Sequence, residues 1–234
     1  MFVTGTGTEV GKTVVAAAIA HTLAAEGKRV AVFKPAVTGL ADNPPADGPN
    51  PVDMRPHSAH RPDHVVLREA AGCSQSDDEV APYRYGPAMS PHLAAELAGE
   101  RIDPGRLLAT AGAAADGADT LVAEGVGGLL VPLAPGYLVR DLAAALGLPL
   151  VVAASPGLGT INHTLLTIEA ARGAGLDVAA VVLTPWPAGP SEIERSNREA
   201  IAALGEVRVE TLPELDRQRP GSWPALHLPP PPPR

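Results

Sequence analysis

Apolar residues fall along this chain in two alternating rhythms. Short, nearly continuous apolar runs recur at Met1–Thr4, Arg29–Phe33, Thr120–Ala123, Leu148–Ala153 and Val178–Leu183. Runs of this length without polar alternation are the mark of strands buried on both faces, as in a parallel sheet. Between them lie longer stretches, near 14–26, 63–71, 90–99, 104–116, 140–146, 162–174 and 191–204. Their apolar positions recur at helical spacing, with one buried stripe and one polar face. Strand and helix in repeated alternation predict an α/β fold. It is a single-domain, doubly wound, mainly parallel sheet flanked by helices, with its ligand crevice at the carboxyl ends of the strands.

Two segments break the rhythm. Residues 41–62 carry Pro44, Pro45, Pro49, Pro51, Pro56 and Pro62 among polar residues, which predicts an irregular loop. Residues 229–233 are all proline and cannot continue a helix or a sheet. The expected organisation is one domain over 1–215, with the loop at 41–62, followed by a proline-rich tail over 216–234.

Composition narrows the picture. Hydrophobic residues make up 45% of the chain but aromatics only 3%, so the core is expected to rest on Ala, Val and Leu. The single cysteine, Cys73, excludes an internal disulfide and any cysteine-built metal cluster. A net charge of −8 without a basic block argues against a nucleic-acid partner. No leader-like segment and no apolar stretch of about 18 residues is present, which predicts a cytoplasmic protein without membrane contact.

The first strand runs into Gly5-Thr6-Gly7-Thr8-Glu9-Val10-Gly11-Lys12-Thr13, and a helical stretch follows at once. Strand, glycine-rich turn, Gly-Lys-Thr and helix is the layout of a phosphate-binding loop. Its backbone N–H groups and the helix dipole attract phosphate oxygens, the lysine adds a point charge, and the threonine hydroxyl can bind Mg²⁺. The loop is one residue longer than the usual spacing from Gly5, and its glycines at 5, 7 and 11 do not match the dinucleotide turn.

Other predicted strand ends also carry polar groups. Lys34 leaves the second strand within Lys34-Pro35-Ala36-Val37-Thr38-Gly39, where it is placed to meet anions or to lie on the surface. Glu124 closes the third, ahead of Gly125-Val126-Gly127-Gly128, and suggests a second Mg²⁺ contact. Asp63 reads as a helix N-cap that could also reach the metal, with Asp53 a weaker candidate. The stretch Ser155-Pro156-Gly157-Leu158-Gly159-Thr160-Ile161-Asn162-His163 opens another helix with N–H groups suited to a carboxylate or phosphate.

Taken together and in order, these motifs resemble the dethiobiotin synthetase family from residue 1 to about 215. The resemblance also includes Ser90-Pro91-His92 and Leu158 through Thr164. It implies an ATP-dependent cyclo-ligase that joins 7,8-diaminononanoate and CO₂ (or bicarbonate) into dethiobiotin, releasing ADP and phosphate. It implies Mg²⁺ held by Thr13, Asp63 and Glu124, with Lys12 and Lys34 catalytic. The nucleotide would meet Glu9, Val10, Gly11, Lys12, Thr13 and Val14 in the loop. It would also meet Asp63, Glu124, Gly125, Val126 and Gly127, and on the base side Thr184, Pro185, Pro213, Glu214 and Leu215. The substrate would meet Thr8, Lys34 and Thr38, with Leu158, Gly159 and Asn162 at a homodimer interface. Thr184-Pro185-Trp186 departs from the family's usual Asn-Asp. The alternative is a partition- or division-type switch ATPase of the same fold family. Such proteins usually carry a lysine early in the loop, where this chain has Gly5, Thr6 and Gly7.

Overall fold

The computed structural model describes residues 1–40, 61–216 and 223–228. The described strands are β1 (Phe2–Gly5), β2 (Val30–Phe33), β3 (Thr120–Gly128), β4 (Pro132–Ala134), β5 (Tyr137–Leu138), β6 (Leu150–Ala154), β7 (Val178–Leu183) and β8 (Val209–Thr211). Six of them form one sheet in the order β2-β3-β1-β6-β7-β8, every neighbouring pair parallel, and β4 and β5 form a separate antiparallel hairpin. The described helices are α1 (Lys12–Ala25), α2 (Asp63–Ala71), α3 (Asp77–Val80), α4 (Pro91–Leu97), α5 (Pro104–Ala115), α6 (Val139–Leu146), α7 (Thr160–Gly173) and α8 (Glu192–Gly205). Among the described residues no helix is long and apolar enough to cross a membrane.

Because strand side chains alternate between faces, each buried strand feeds two apolar layers. Val3, Val30, Val32, Val122, Val151 and Val182 pack with α1 and α2. Their neighbours Phe2, Phe33, Leu121, Leu150, Val152 and Leu183 pack with α5, α6, α7 and α8. Both phenylalanines are fully buried and, with Tyr83, Tyr85 and Trp223, give aromatic anchors to a core built largely of Ala, Val and Leu. Helix α1 is buried from Val15 through Ala20, and its alanines let it lie close to the sheet. The helix ends follow local chemistry. Ser191 and Glu194 form a capping box that starts α8, Asp103 caps α5, and Gly147 ends α6 in a left-handed turn.

The structure corrects several sequence expectations. Strand β3 does not stop at Ala123; it runs through Glu124 to Gly128, with a register shift against β1. Gly125 allows this, because a Cβ there would lie 2.9 Å from Val139 Cγ1 and 3.1 Å from Phe2 Cε1. The short elements β4, β5, β8 and α3 are additional, each too brief to set up a rhythm. Asp63 is the first residue of α2 rather than its N-cap, which is Pro62. Helix α7 begins at Thr160, ahead of the expected 162, with Gly159 as its cap. Residues 223–228, assigned from sequence to the tail, lie against α1. Trp223 and Leu226 are buried there, and the Leu226 N–H donates to Thr22 Oγ1 at 2.9 Å. Positions 41–60 and 229–234, which include most of the expected loop, Asp53 and the proline run, lie outside the described residues.

Candidate functional site

The loop between β1 and α1 is shaped by close packing. A Cβ on Gly5 would stand 2.6 Å from Val10 Cγ2 and 2.8 Å from Lys12 Cγ, so the chain can fold back over itself only without one. Gly11 caps α1 at φ 86, where a side chain is strained, and a Cβ there would lie 2.5 Å from Thr184 Cγ2. Glu9 holds a left-handed φ of 58, uncommon outside glycine. The Thr6 N–H donates to Ala153 O at 3.1 Å, which ties the loop to β6. The first turn of α1 has no side-chain cap and no acidic residue, leaving its N–H groups to an external anion. Lys12 Nζ donates to Gly7 O at 2.6 Å across this loop. Burial depresses the Lys12 pKa, and Lys34 adds to that; Glu124 and Asp63 oppose it.

Next to the loop lies a buried ion cluster, and strand parity explains it. Val32 pairs with Val122 across β2 and β3, and both face α1 and α2. Two residues further on, Lys34 and Glu124 are on that same face by the period-two rule. Lys34 Nζ lies 2.5 Å from Glu124 Oε1 and 2.9 Å from Asp63 Oδ2. The Thr13 hydroxyl donates to the same Glu124 oxygen at 2.9 Å. Lys34 is 3% exposed and Glu124 1%. Burying such charges costs several kcal/mol each unless they are paired. Here burial works to discharge Lys34, but Asp63 and Glu124 outweigh it and hold its pKa above the ordinary value. Burial pushes the Glu124 pKa up, with Lys34 opposing. Glu124 Oε2 is buried without a hydrogen-bond partner among the described residues. Two lysines and two carboxylates balance, so the cluster holds no surplus positive charge for a polyanion. Among the described residues no group of three or more His, Cys, Asp or Glu could hold a metal, so any cation here needs the Thr13 hydroxyl or ligand oxygens as well.

The structure therefore brings Lys12, Thr13, Lys34, Asp63 and Glu124 together. Val10 and Val14 are half-buried against the α1 side of the core, and Thr8 and Glu9 are exposed. Gly125 is buried between Phe2 and Val139, Val126 is half-buried against that same apolar layer, and Gly127 turns at φ 61. Thr184 is buried, with its N–H donating to Ala154 O at 2.9 Å and its methyl against Gly11, so β7 ends beside the loop. After β8, Pro213 and Glu214 are exposed and Leu215 is half-buried in the same layer as Val10 and Val14. Thr38 is half-buried where Val37 and Gly39 bond to Tyr83 O and Pro87 O. Leu158 and Gly159 lie on the exposed β6–α7 loop, where Leu158 is 97% exposed, and Asn162 is exposed in the first turn of α7. Ser90 and Pro91 start α4 as cap and first residue.

Sequence reasoning missed Gln75, whose side chain reaches the backbone of Val32 from a short loop. The Ser76-x-x-Glu79 capping box beside it is legible in the sequence, but nothing there shows that Gln75 meets β2.

A family model described as an AAA domain matches residues 1–219. The chain is 40% identical over 213 residues to an ATP-dependent dethiobiotin synthetase BioD from Anaeromyxobacter sp. (strain K), covering 87% of this chain and 88% of the relative. It is 34% identical over 210 residues to the ATP-dependent dethiobiotin synthetase BioD of Bacillus subtilis (strain 168), covering 89% of this chain and 84% of the relative. A solved structure of the signal recognition particle receptor FtsY from Elizabethkingia anophelis overlays with a TM-score of 0.47 at 17% identity, covering 93% of this chain and 59% of that one. With the match spanning nearly the whole chain of each synthetase relative, this protein belongs to the ATP-dependent dethiobiotin synthetase family.

Proposed function

We propose that this chain uses ATP to close the ureido ring of dethiobiotin from 7,8-diaminononanoate and CO₂, releasing ADP and phosphate. One observation carries the reading: a buried lysine, Lys34, stands between two carboxylates beside the Lys12-Thr13 start of a phosphate-binding helix. The chemistry brings two anions together, a carbamate formed on a substrate amine and the terminal phosphate of ATP. Directed N–H groups and fixed cations lower the barrier for that encounter, and they act most strongly where water is excluded. Lys12 would hold the phosphates against the loop N–H groups, and Lys34 would face the carbamate oxygen that attacks phosphorus. The second amine then closes the ring and expels phosphate. No protein nucleophile is needed.

The residues fit a magnesium ion. Thr13 Oγ1, Asp63 and Glu124 form an all-oxygen donor set, and the bare Glu124 Oε2 is a ready ligand atom. Such a small set suits Mg²⁺, which takes one or two carboxylates and completes its shell from phosphates and water. Those three residues would hold it, and it would supply the positive charge that the balanced cluster lacks. Thr8 and Thr38 supply hydroxyls near the carbamate. Glu9, Val10, Gly11, Val14, Gly125, Val126 and Gly127 surround the phosphates and ribose, while Thr184, Pro185, Pro213, Glu214 and Leu215 line the base side. A second copy of the chain presents Leu158, Gly159 and Asn162 to the substrate carboxylate. The exposure of that loop and the uncapped start of α7 support this arrangement.

Phosphate release from ATP, measured with diaminononanoate and bicarbonate each omitted in turn, tests the reading. A synthetase needs both; hydrolysis indifferent to either would replace it with a switch ATPase.

A further inference from the structure

We propose that Gln75 is a positioning residue for the Lys34–Asp63 pair, holding the open edge of β2 two residues ahead of Lys34. The proposal rests on the catalytic reading of Lys34 given above.

Strand β2 is at the edge of the sheet, with β3 on one side only. Within a strand the N–H and C=O of one residue point to the same side, and the next residue's point to the other. Val32 therefore turns both groups away from β3, where an edge strand is left unpaired. Gln75 satisfies both of them. The Val32 N–H donates to Gln75 Oε1 at 2.8 Å, and Gln75 Nε2 donates to Val32 O at 3.0 Å. The backbone of Val32 fixes which end of the amide is which. The Cys73 thiol donates to Gln75 Oε1 at 3.3 Å and supports that orientation. The next outward N–H along the strand, that of Lys34, donates to Val80 O at 2.8 Å. One short segment, 73–80, thus supplies the missing edge partner of β2 at both positions.

The same segment holds the helix that carries Asp63. Asp77 pairs with Arg68 on α2 and lies 3.6 Å from His64 Nε2. Lys34 and Asp63 come from elements joined by no ladder hydrogen bond, so their 2.9 Å contact depends on whatever fixes β2 relative to α2. Gln75 and Asp77 do so from one stretch of chain. Of the pair, Lys34 is the member that Gln75 holds directly, through β2, so loss of Gln75 falls first on turnover; Asp63 stays on α2, which Asp77 holds through Arg68.

The test compares Gln75→Met, which keeps length and removes both hydrogen bonds, with Ser76→Ala, which weakens the same segment without touching Val32. Rates of coupled phosphate release are normalised to nucleotide-binding sites counted by equilibrium titration. Gln75→Met is expected to lower kcat about fivefold per site, with KM for ATP within about twofold of wild type. Ser76→Ala is expected to lower thermal stability and leave kcat per site unchanged. In a Lys34→Ala background, Gln75→Met should cause no further loss, because its effect passes through that lysine. If Gln75→Met does not fold, Gln75→Glu keeps the acceptor for Val32 N–H and should show a smaller kcat loss of the same kind. Wild-type kcat per site in either folded Gln75 variant, or an equal loss in Ser76→Ala, overturns the proposal. Normal turnover in Lys34→Ala instead overturns the catalytic reading on which it rests.

Discussion

The lysine–carboxylate cluster and the β6–α7 loop contrast sharply. Lys34 is 3% exposed and bonded to two carboxylates, whereas Leu158 is 97% exposed. The cluster draws its members from β3, α1, α2 and the residue that follows β2, and the packing of these elements fixes their geometry. The loop is held mainly at its base, where Asn197 Nδ2 donates to Pro156 O and Gly157 O. A buried charge group must be completed within the fold, since unpaired charges there would be too costly. An exposed leucine is tolerated singly on any surface, and beside a site it is free to take an external partner. In the function proposed here, one chain builds the phosphate-transfer half and leaves the carboxylate-recognition half to a second copy.

Four experiments sharpen or break that division. Removing either lysine should have the largest effect. Lys34→Ala and Lys12→Ala should each lower coupled turnover on the order of a hundred- to thousandfold. Steady-state rates on variants with native circular dichroism check this, and near wild-type rates in one would remove that lysine from catalysis. Glu124→Gln keeps the shape but removes the charge, and should weaken Mg²⁺-nucleotide binding roughly tenfold or more. Calorimetric titration reads it, and unchanged affinity would take Glu124 out of the metal set. Leu158→Glu should raise KM for the diamine about tenfold and weaken self-association, with ATP affinity unchanged. Sedimentation together with kinetics decides it; a variant that stays associated with normal KM would return the loop to ordinary surface. Asn162→Ala should cost only a few-fold in the same KM, about the worth of one hydrogen bond. A loss spread equally over ATP and diamine would show that it acts through the fold.

Much of the fold is legible in the sequence because buried parallel strands are continuous apolar runs and their helices keep a single stripe. Among the described residues, the five strands and seven helices that the rhythm predicts appear close to where it places them. The elements it does not reveal are short or conditional. Strand β8 covers Val209–Thr211, and β3 passes through glycines that would ordinarily signal a turn. Trp223 and Leu226 sit in a proline-rich stretch without periodicity, so nothing local shows that they bury against α1.

By itself the sequence determined the phosphate loop, since glycine spacing, lysine and helix start are local and contiguous, and the family to which the chain belongs. It also named Lys34, Asp63 and Glu124 one by one. Only the tertiary structure decided that these three meet, that one carboxylate oxygen is shared by Lys34 and Thr13, and that Gln75 closes the edge beside them. The reason is distance along the chain. Lys34 and Glu124 are 90 positions apart, and their contact comes from strand order, register and the parity of side chains on a sheet, none of which is written in any one segment.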